Sequence, residues 1–428
     1  MLRVYIENNS SFYNEVSYIW NVFCRDQKIE FIECFEIESA QFKIGTHSTC
    51  DIQVEEKLIL GIRNGDPNFK NEFVTNQAFF CRHDGTKDYL ISSFYILTCA
   101  QELNSNSIDE FGRFPFVESF QSKLNVERED LVSQYFHQLR SEHPSLRNMS
   151  LVTEEKSSVF ISHDIDLIYG ALLQDGFYCL KKRKFIDLLN LLFNNIFGTP
   201  SWLNFRRIVE IEKKHGFTST FFWLAVKGKA EKGVNNADYD VSSKSIQQEL
   251  DFLETKGAHH GIHKSFSEAS FAVEMNRIRP GIIANRYHYL ALNVHKDLIV
   301  MEEAGIKFDS SISFAEKPGF RSGYSKPYMP YMFESRRAAK FVECPMNLMD
   351  TTYFNYLKKS SSDAFDDIRQ FIDSHKYNSV ISLLWHNNYL SDYKYKEYCL
   401  LYEKVLAYLK NNNFRCITPK EIVNEFKV

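Results

Sequence analysis

Val159-Phe160-Ile161-Ser162-His163-Asp164-Ile165-Asp166 is the stretch on which the reading of this chain turns. The apolar run Val159–Ile161 predicts a buried strand, and the polar residues after it mark the strand's end. Strand side chains alternate between faces, so Asp164 and Asp166 point the same way. A carboxylate pair at the mouth of a sheet or barrel can divide labour, one binding a metal and the other remaining free as a base. Three histidines close later strand-like runs: His263, His288 and His386. Together these residues point to a metal-dependent hydrolase.

Outward from this stretch the pattern alternates strand and helix. Strands are expected at 159–164, 219–225, 259–263, 285–290, 307–311, 341–345, 380–386 and 415–418. The helices between them are expected at 202–215, 243–255, 268–278, 296–304, 362–375 and 395–411, with Gly216, Gly257 and Gly305 as C-terminal caps. Such alternation over the last 270 or so residues predicts a (β/α) barrel, whose catalytic groups gather at the C-terminal ends of the strands. Asp164, His263, His288 and His386 all fall there. The preceding part mixes short strands (2–6, 31–34, 52–54, 89–92) with helices at 11–23 and 128–140, a smaller α+β domain. The polar stretch 141–158 reads as a linker, giving two domains, 1–150 and 151–428.

Composition sets bounds. The chain has 428 residues, 51 Lys+Arg against 55 Asp+Glu, and a formal charge of −4. No basic field draws it to nucleic acid, and its apolar runs are too short to cross a membrane. The N-terminus turns polar at once, unlike a signal peptide, so a cytoplasmic location is expected. Nine cysteines include no C-x-x-C pair and read as buried, reduced thiols rather than a zinc cluster. Aromatic residues make up 15% of the chain, with 37 Phe and 23 Tyr, enough to fill a core and line a groove.

Each candidate is weak alone. An Asp-x-Asp at a strand end is often a turn former, and a lone histidine is commonly a satisfied core residue. Gly261, two positions before His263, permits close approach of the backbone. In Arg286-Tyr287-His288-Tyr289-Leu290, strand alternation places Arg286 and His288 on one face, where a guanidinium can orient a carboxylate and favour its ionised form. Leu384-Trp385-His386-Asn387-Asn388 offers a ring as a sugar platform and a histidine as general acid. Their recurrence at the ends of separate strands in one alternating domain carries more weight than any one of them.

These motifs resemble those of the NodB-type polysaccharide deacetylases, carbohydrate esterase family four. The resemblance lies in His163-Asp164-Ile165-Asp166, Gly261-Ile262-His263-Lys264-Ser265-Phe266, Arg286–Leu290 and Leu384–Asn388, with Ser219-Thr220-Phe221-Phe222 similar to the family's second strand. Phe308-Asp309-Ser310-Ser311 and Gly319-Phe320-Arg321-Ser322-Gly323 resemble a bacterial subgroup with an extra N-terminal domain, which Asp109–Pro115 also resembles. The resemblance implies a deformed (β/α)7 barrel and metal-dependent removal of acetyl groups, N-acetyl above all, from a glycan or glycan precursor. It implies Asp164 as base, Asp166 and His263 as metal ligands, His386 as acid and Arg286 as the residue that tunes the base. Zinc is the expected ion, and a backbone N–H near Tyr287 or Tyr289 is expected to hold the oxyanion. Tyr289, Arg321 and Trp385 are expected to contact the sugar, with Tyr287, Phe314 and Tyr324 as further groove residues.

One departure stands out. The family's second motif usually carries a second histidine four residues after the first, and here that position is Ser267. His288 is expected to fill the vacant ligand position, since Asp, His, His and water make a sound open zinc site. Two other readings follow from the same residues: a deacetylase-like glycan-binding or scaffold protein without catalysis, and a metal-dependent amidase or esterase on a non-sugar substrate.

Overall fold

The computed structural model describes residues 1–149, 154–230 and 233–428, so the expected boundary at 150/151 lies outside the described residues. The chain forms two compact units. One comprises Met1–Glu154 with Asn293–Val300 and Gly319–Lys340; the other comprises Glu155–Leu292, Met301–Pro318 and Phe341–Val428. The first unit is therefore discontinuous in sequence.

The first unit holds a four-stranded parallel sheet in the order Phe31–Glu33, Leu2–Ile6, Phe42–Gly45, Ile52–Gln53. Its core takes in Tyr324, Tyr328 and Tyr331 from the later segment. Tyr324 is thus a core residue of this unit rather than a groove residue, and its hydroxyl donates to Asp26 Oδ1 at 2.9 Å. The strand expected at 89–92 is instead the start of a helix, Tyr89–Leu97, whose N–H of Ile91 is capped by the Asp88 side chain. Every residue of that helix is buried, so no polar face marks the helical period in its sequence.

The second unit is built on a parallel sheet of eight strands in the order Val342–Glu343, Phe308–Asp309, Ala284–Tyr287, His259–Lys264, Thr220–Leu224, Ser158–Ile165, Val380–Leu384, Leu348–Met349; Arg415–Cys416 also pairs with Ser158–Val159. Thr220–Leu224 and Val380–Leu384 are buried at every position, as a parallel sheet covered on both faces requires. Laid flat, eight strands would span about 34 Å. Yet the two edge strands are joined by only Cys344-Pro345-Met346-Asn347, a link that reaches at most about 17 Å. The sheet must curl, and it does so as a deformed (β/α) barrel with its seam between these two short strands.

The helices that return the chain along this barrel start and stop on recognisable signals. Ser270 caps Phe271–Ile278, Ser360 caps Ser361–Ser374, and Thr418 with Glu421 forms a capping box before Pro419–Phe426. Helix Phe205–His215 ends at Gly216, whose φ of 79° is the left-handed value glycine adopts without strain. No disulfide joins the nine cysteines.

Two buried carboxyls lie on the neighbouring strands Phe308–Asp309 and Val342–Glu343. Burial, then the adjacent Asp309 charge, pushes Glu343 well above the usual carboxylate range; burial likewise raises Asp309. A raised folded-state pKa gives stability that is present below the unfolded value and lost as pH rises through the folded one. Glu343→Gln removes that loss. The variant is expected to match the parent only at acid pH below the ordinary glutamate value of 4.5 and to exceed it increasingly as pH rises above that value, as read by urea unfolding across a pH series. Parallel curves for the two proteins would refute the buried-proton assignment.

Candidate metal centre

The register of the parallel strands sets the site. Asp164 lies opposite Phe222 on the next strand, and His263 opposite Arg286 on the one beyond. Gly261 faces the Phe222 ring, where a Cβ would come within 2.5 Å of ring carbons. Its bare backbone lets Phe222 lie flat enough to support the Arg286 guanidinium, 4.5 Å above the ring centroid.

Arg286 is fully buried and spends its donors locally. It donates to Asp164 Oδ1 at 2.9 Å, Ser162 Oγ at 2.8 Å, the Ser310 carbonyl at 2.9 Å and Ser310 Oγ at 3.1 Å. Asp164 and Arg286 meet across the two strands that separate theirs, Thr220–Leu224 and His259–Lys264, which the curl of the sheet permits. With Oδ1 so held, Asp164 Oδ2 is left 3.6 Å from His263 Nε2.

Asp166, His263 and His288 present one ligand atom each, all within 4.8 Å of one another. His263 Nε2 and His288 Nε2 lie 3.4 and 3.6 Å from Asp166 Oδ1. His263 Nδ1 bonds the Arg286 carbonyl at 3.0 Å, the outer contact that fixes the ring of a metal-binding histidine. Asp166 Oδ1 is buried without a hydrogen-bond partner, as is His288 Nδ1. An orphaned carboxylate oxygen facing two imidazoles is costly in a bare protein and is what a cation resolves, so the donor set fits a divalent metal. Burial pulls the Asp166 carboxyl up, but the His288, His263 and His386 rings outweigh it and hold the group well below the usual range. Burial also lowers His288, favouring the neutral imidazole that a metal needs.

His386 follows strand Val380–Leu384 and lies on another side of Asp166, its Nε2 3.7 Å from Asp166 Oδ2. Its Nδ1 pairs with buried Asp350 Oδ1 at 2.7 Å, and its backbone N–H donates to Asp350 Oδ2 at 2.6 Å. Burial works against the charged ring, but the Asp350 charge and hydrogen bond raise His386 to about 10.

The structure thus brings together Asp164, Asp166, His263, His288, Arg286 and His386, and corrects several details. His288 does not share a strand with Arg286; the strand ends at Tyr287, and His288 opens a short turn. Tyr289 in that turn has φ 58° and stacks on His288 with ring centroids 4.0 Å apart. The N–H of Tyr287 is taken by Ser311 Oγ at 2.9 Å, so it is not a waiting oxyanion donor. Trp385 is fully buried and packs edge-on against Phe354 and tilted against Tyr402, leaving no face for a sugar. Phe314 is buried as well. Arg321 belongs to the first unit, where it is 1% exposed and forms a two-point ion pair with Glu102. It is not part of this cluster. Ser267 donates to Glu274 Oε1 at 3.1 Å.

Two further acidic partners come from the structure. Asp350 follows the two-residue strand Leu348–Met349, too short to show alternation, and nothing in its local sequence sets it apart. Glu212, on helix Phe205–His215, bonds His163 Nε2 at 2.7 Å and accepts from the Tyr402 hydroxyl at 2.8 Å. With His163 Nδ1 on the Trp385 carbonyl, this buried network ties helix to strand.

Residues 2–143 match a family described only as of unknown function, DUF7033. No curated protein matches the chain. Among solved structures, similarity is found to a Mycobacterium smegmatis protein described as a polysaccharide deacetylase, at 11% identity and TM-score 0.41 over 65% of this chain and 93% of that one. It is also found to the peptidoglycan deacetylase PdaC of Bacillus subtilis, at 10% identity and TM-score 0.32, covering 64% and 94%. A CE4-family pseudoenzyme from Bacillus anthracis is similar at 11% identity and TM-score 0.26, covering 65% and 72%.

Proposed function

We propose that the chain is a metal-dependent hydrolase that removes acetyl groups, N-acetyl above all, from a glycan or glycan precursor. The observation that carries this reading is the convergence of Asp166, His263 and His288 from three separate elements, flanked by the Asp164–Arg286 and His386–Asp350 pairs. A divalent ion held by those three ligands, zinc by the chemistry of the donor set, supplies Lewis acidity toward an acetyl carbonyl and makes water more acidic.

The chain's own residues supply the proton traffic. Asp164, with Oδ1 fixed by Arg286, takes the proton of the attacking water on Oδ2. His386, protonated at neutral pH by its partnership with Asp350, donates from Nε2 to the leaving nitrogen. An amide requires such an acid, because its amine departs only when protonated. Tyr289, partly buried beside His288, is the one expected sugar contact adjacent to the ligands.

Metal analysis of the purified protein tests this reading. The parent is expected to hold about one divalent ion per chain, and His288→Ala to bind it roughly 100-fold more weakly or worse. Undiminished affinity in His288→Ala would remove it from the ligand set. A parent that binds no ion and releases no acetate from acetylated sugars would favour the scaffold reading, to which Ser267 lends support. Release from small amides but not from sugars would redirect the substrate assignment.

A further inference from the structure

We propose that the helical hairpin at residues 169–197 docks the protein onto an anionic membrane surface. The hairpin leaves the first barrel strand just beyond Asp166. Its root is fixed by Asp238, which accepts from the N–H groups of Ile168 and Tyr169, each at 2.8 Å. Two helices follow, Ala171–Lys181 and Phe185–Phe197. They pack on each other where Gly176 leaves room for Leu188 and Leu191.

The outer face of this hairpin is apolar. Leu173 is 81% exposed, Ile186 76% and Phe197 75%; Phe177, Leu189 and Phe193 are each more than half exposed. In the second helix only Leu191 is buried. Large apolar side chains this crowded on one exposed element are unusual for a surface in contact with water alone and mark an interaction face. At 11 and 13 residues the helices are about 16–20 Å long, too short to cross a hydrocarbon core of ~30 Å. Among the described residues no helix is long and apolar enough to span. Such a hairpin can lie in the interface with its apolar face buried.

Charge selects the occupant. Lys181 ends the first helix and Lys182-Arg183-Lys184 form the turn to the second, all four exposed. The hairpin's acidic residues are Asp175, which is buried and bonded to Trp202 and Ser391, and Asp187, 3.7 Å from Lys184. A second copy of the hairpin offers no complementary charge, whereas anionic headgroups do. The docking does not depend on the hydrolase reading, since it requires no turnover.

Flotation of the full-length protein with vesicles tests it. Vesicles of two parts phosphatidylcholine to one part phosphatidylglycerol are expected to carry the protein upward, and pure phosphatidylcholine to carry far less. Lys181→Glu/Lys182→Glu/Arg183→Glu is expected to weaken binding to the mixed vesicles about a hundredfold or more. Leu173→Gln/Phe177→Gln/Ile186→Gln/Phe193→Gln is expected to abolish it. Both variants should keep the parent's unfolding midpoint and metal content; if the fourfold variant fails to fold, the single change Leu173→Glu at the most exposed position takes its place. The proposal is overturned if the parent does not float with the mixed vesicles, or if the charge-reversed variant floats as well as the parent. A concentration-dependent dimer that masks the face, with no vesicle binding, overturns it in favour of self-association.

Discussion

Asp164→Asn is expected to lower turnover of a chromogenic acetyl ester by about 10²–10⁴-fold while leaving bound metal unchanged. The substitution is nearly isosteric. Asparagine can still turn its carbonyl oxygen to Arg286 Nη1, which now lies 2.9 Å from Asp164 Oδ1. What it cannot do is take a proton from water. Asp166 is not touched, so the ligand triangle persists and the ion should remain. A combined loss of metal and activity would place Asp164 among the ligands instead. Comparable turnover by variant and parent would end its assignment as base. The two measurements together separate a proton-transfer role from a coordination role, which activity alone cannot.

Arg286→Met is expected to destabilise the protein by about 3–5 kcal/mol in urea unfolding, the range for removing one partner of a buried ion pair. The guanidinium is fully buried and satisfies Asp164, Ser162 and the carbonyl and hydroxyl oxygens of Ser310. Methionine fills part of the volume over Phe222 but leaves the Asp164 carboxylate uncompensated. A domain has only about 5–15 kcal/mol of stability in all, so the variant should fold but melt early. Adding Asp164→Asn should restore part of the loss, because the unpaired charge is then gone. If the two losses simply add, the ion pair is not the source of the effect and packing against Phe222 is.

The alternating part of the chain was legible because its physics is local. Runs such as Val159–Ile161 and Val380–Leu384 are buried on both faces, and the helices between them carry serine caps or terminal glycines. The convergence of Asp166 with His263 and His288 followed from the rule that barrel chemistry collects at the C-terminal strand ends. That rule worked for His288 even though its residue sits in a turn rather than on the strand. Expectations that rested on residue type alone fared worse. Trp385 looked like a sugar platform because of its ring, and Arg321 was expected to contact the sugar within the Gly319–Gly323 motif, but one fills the core and the other pairs with Glu102. Asp350 was invisible because its partnership with His386 spans 36 residues and no local pattern encodes it. Tyr89–Leu97 was misread because total burial erases the period that distinguishes a helix from a strand.

The split composition of the first unit constrains how the chain can be made. Its sheet and most of its core are finished by Glu154, but Tyr324, Tyr328, Tyr331 and Arg321 belong to a segment that ends at Lys340. At roughly 5–20 residues per second, a ribosome delivers that segment about 10–40 s after Glu154. During this interval Asp26 and Glu102, which the later residues satisfy with hydrogen bonds and charge, wait without those partners. A fragment truncated after Glu154 should therefore be a trapped version of that nascent state, aggregation-prone and rescued by supplying residues 319–340 as a peptide in trans.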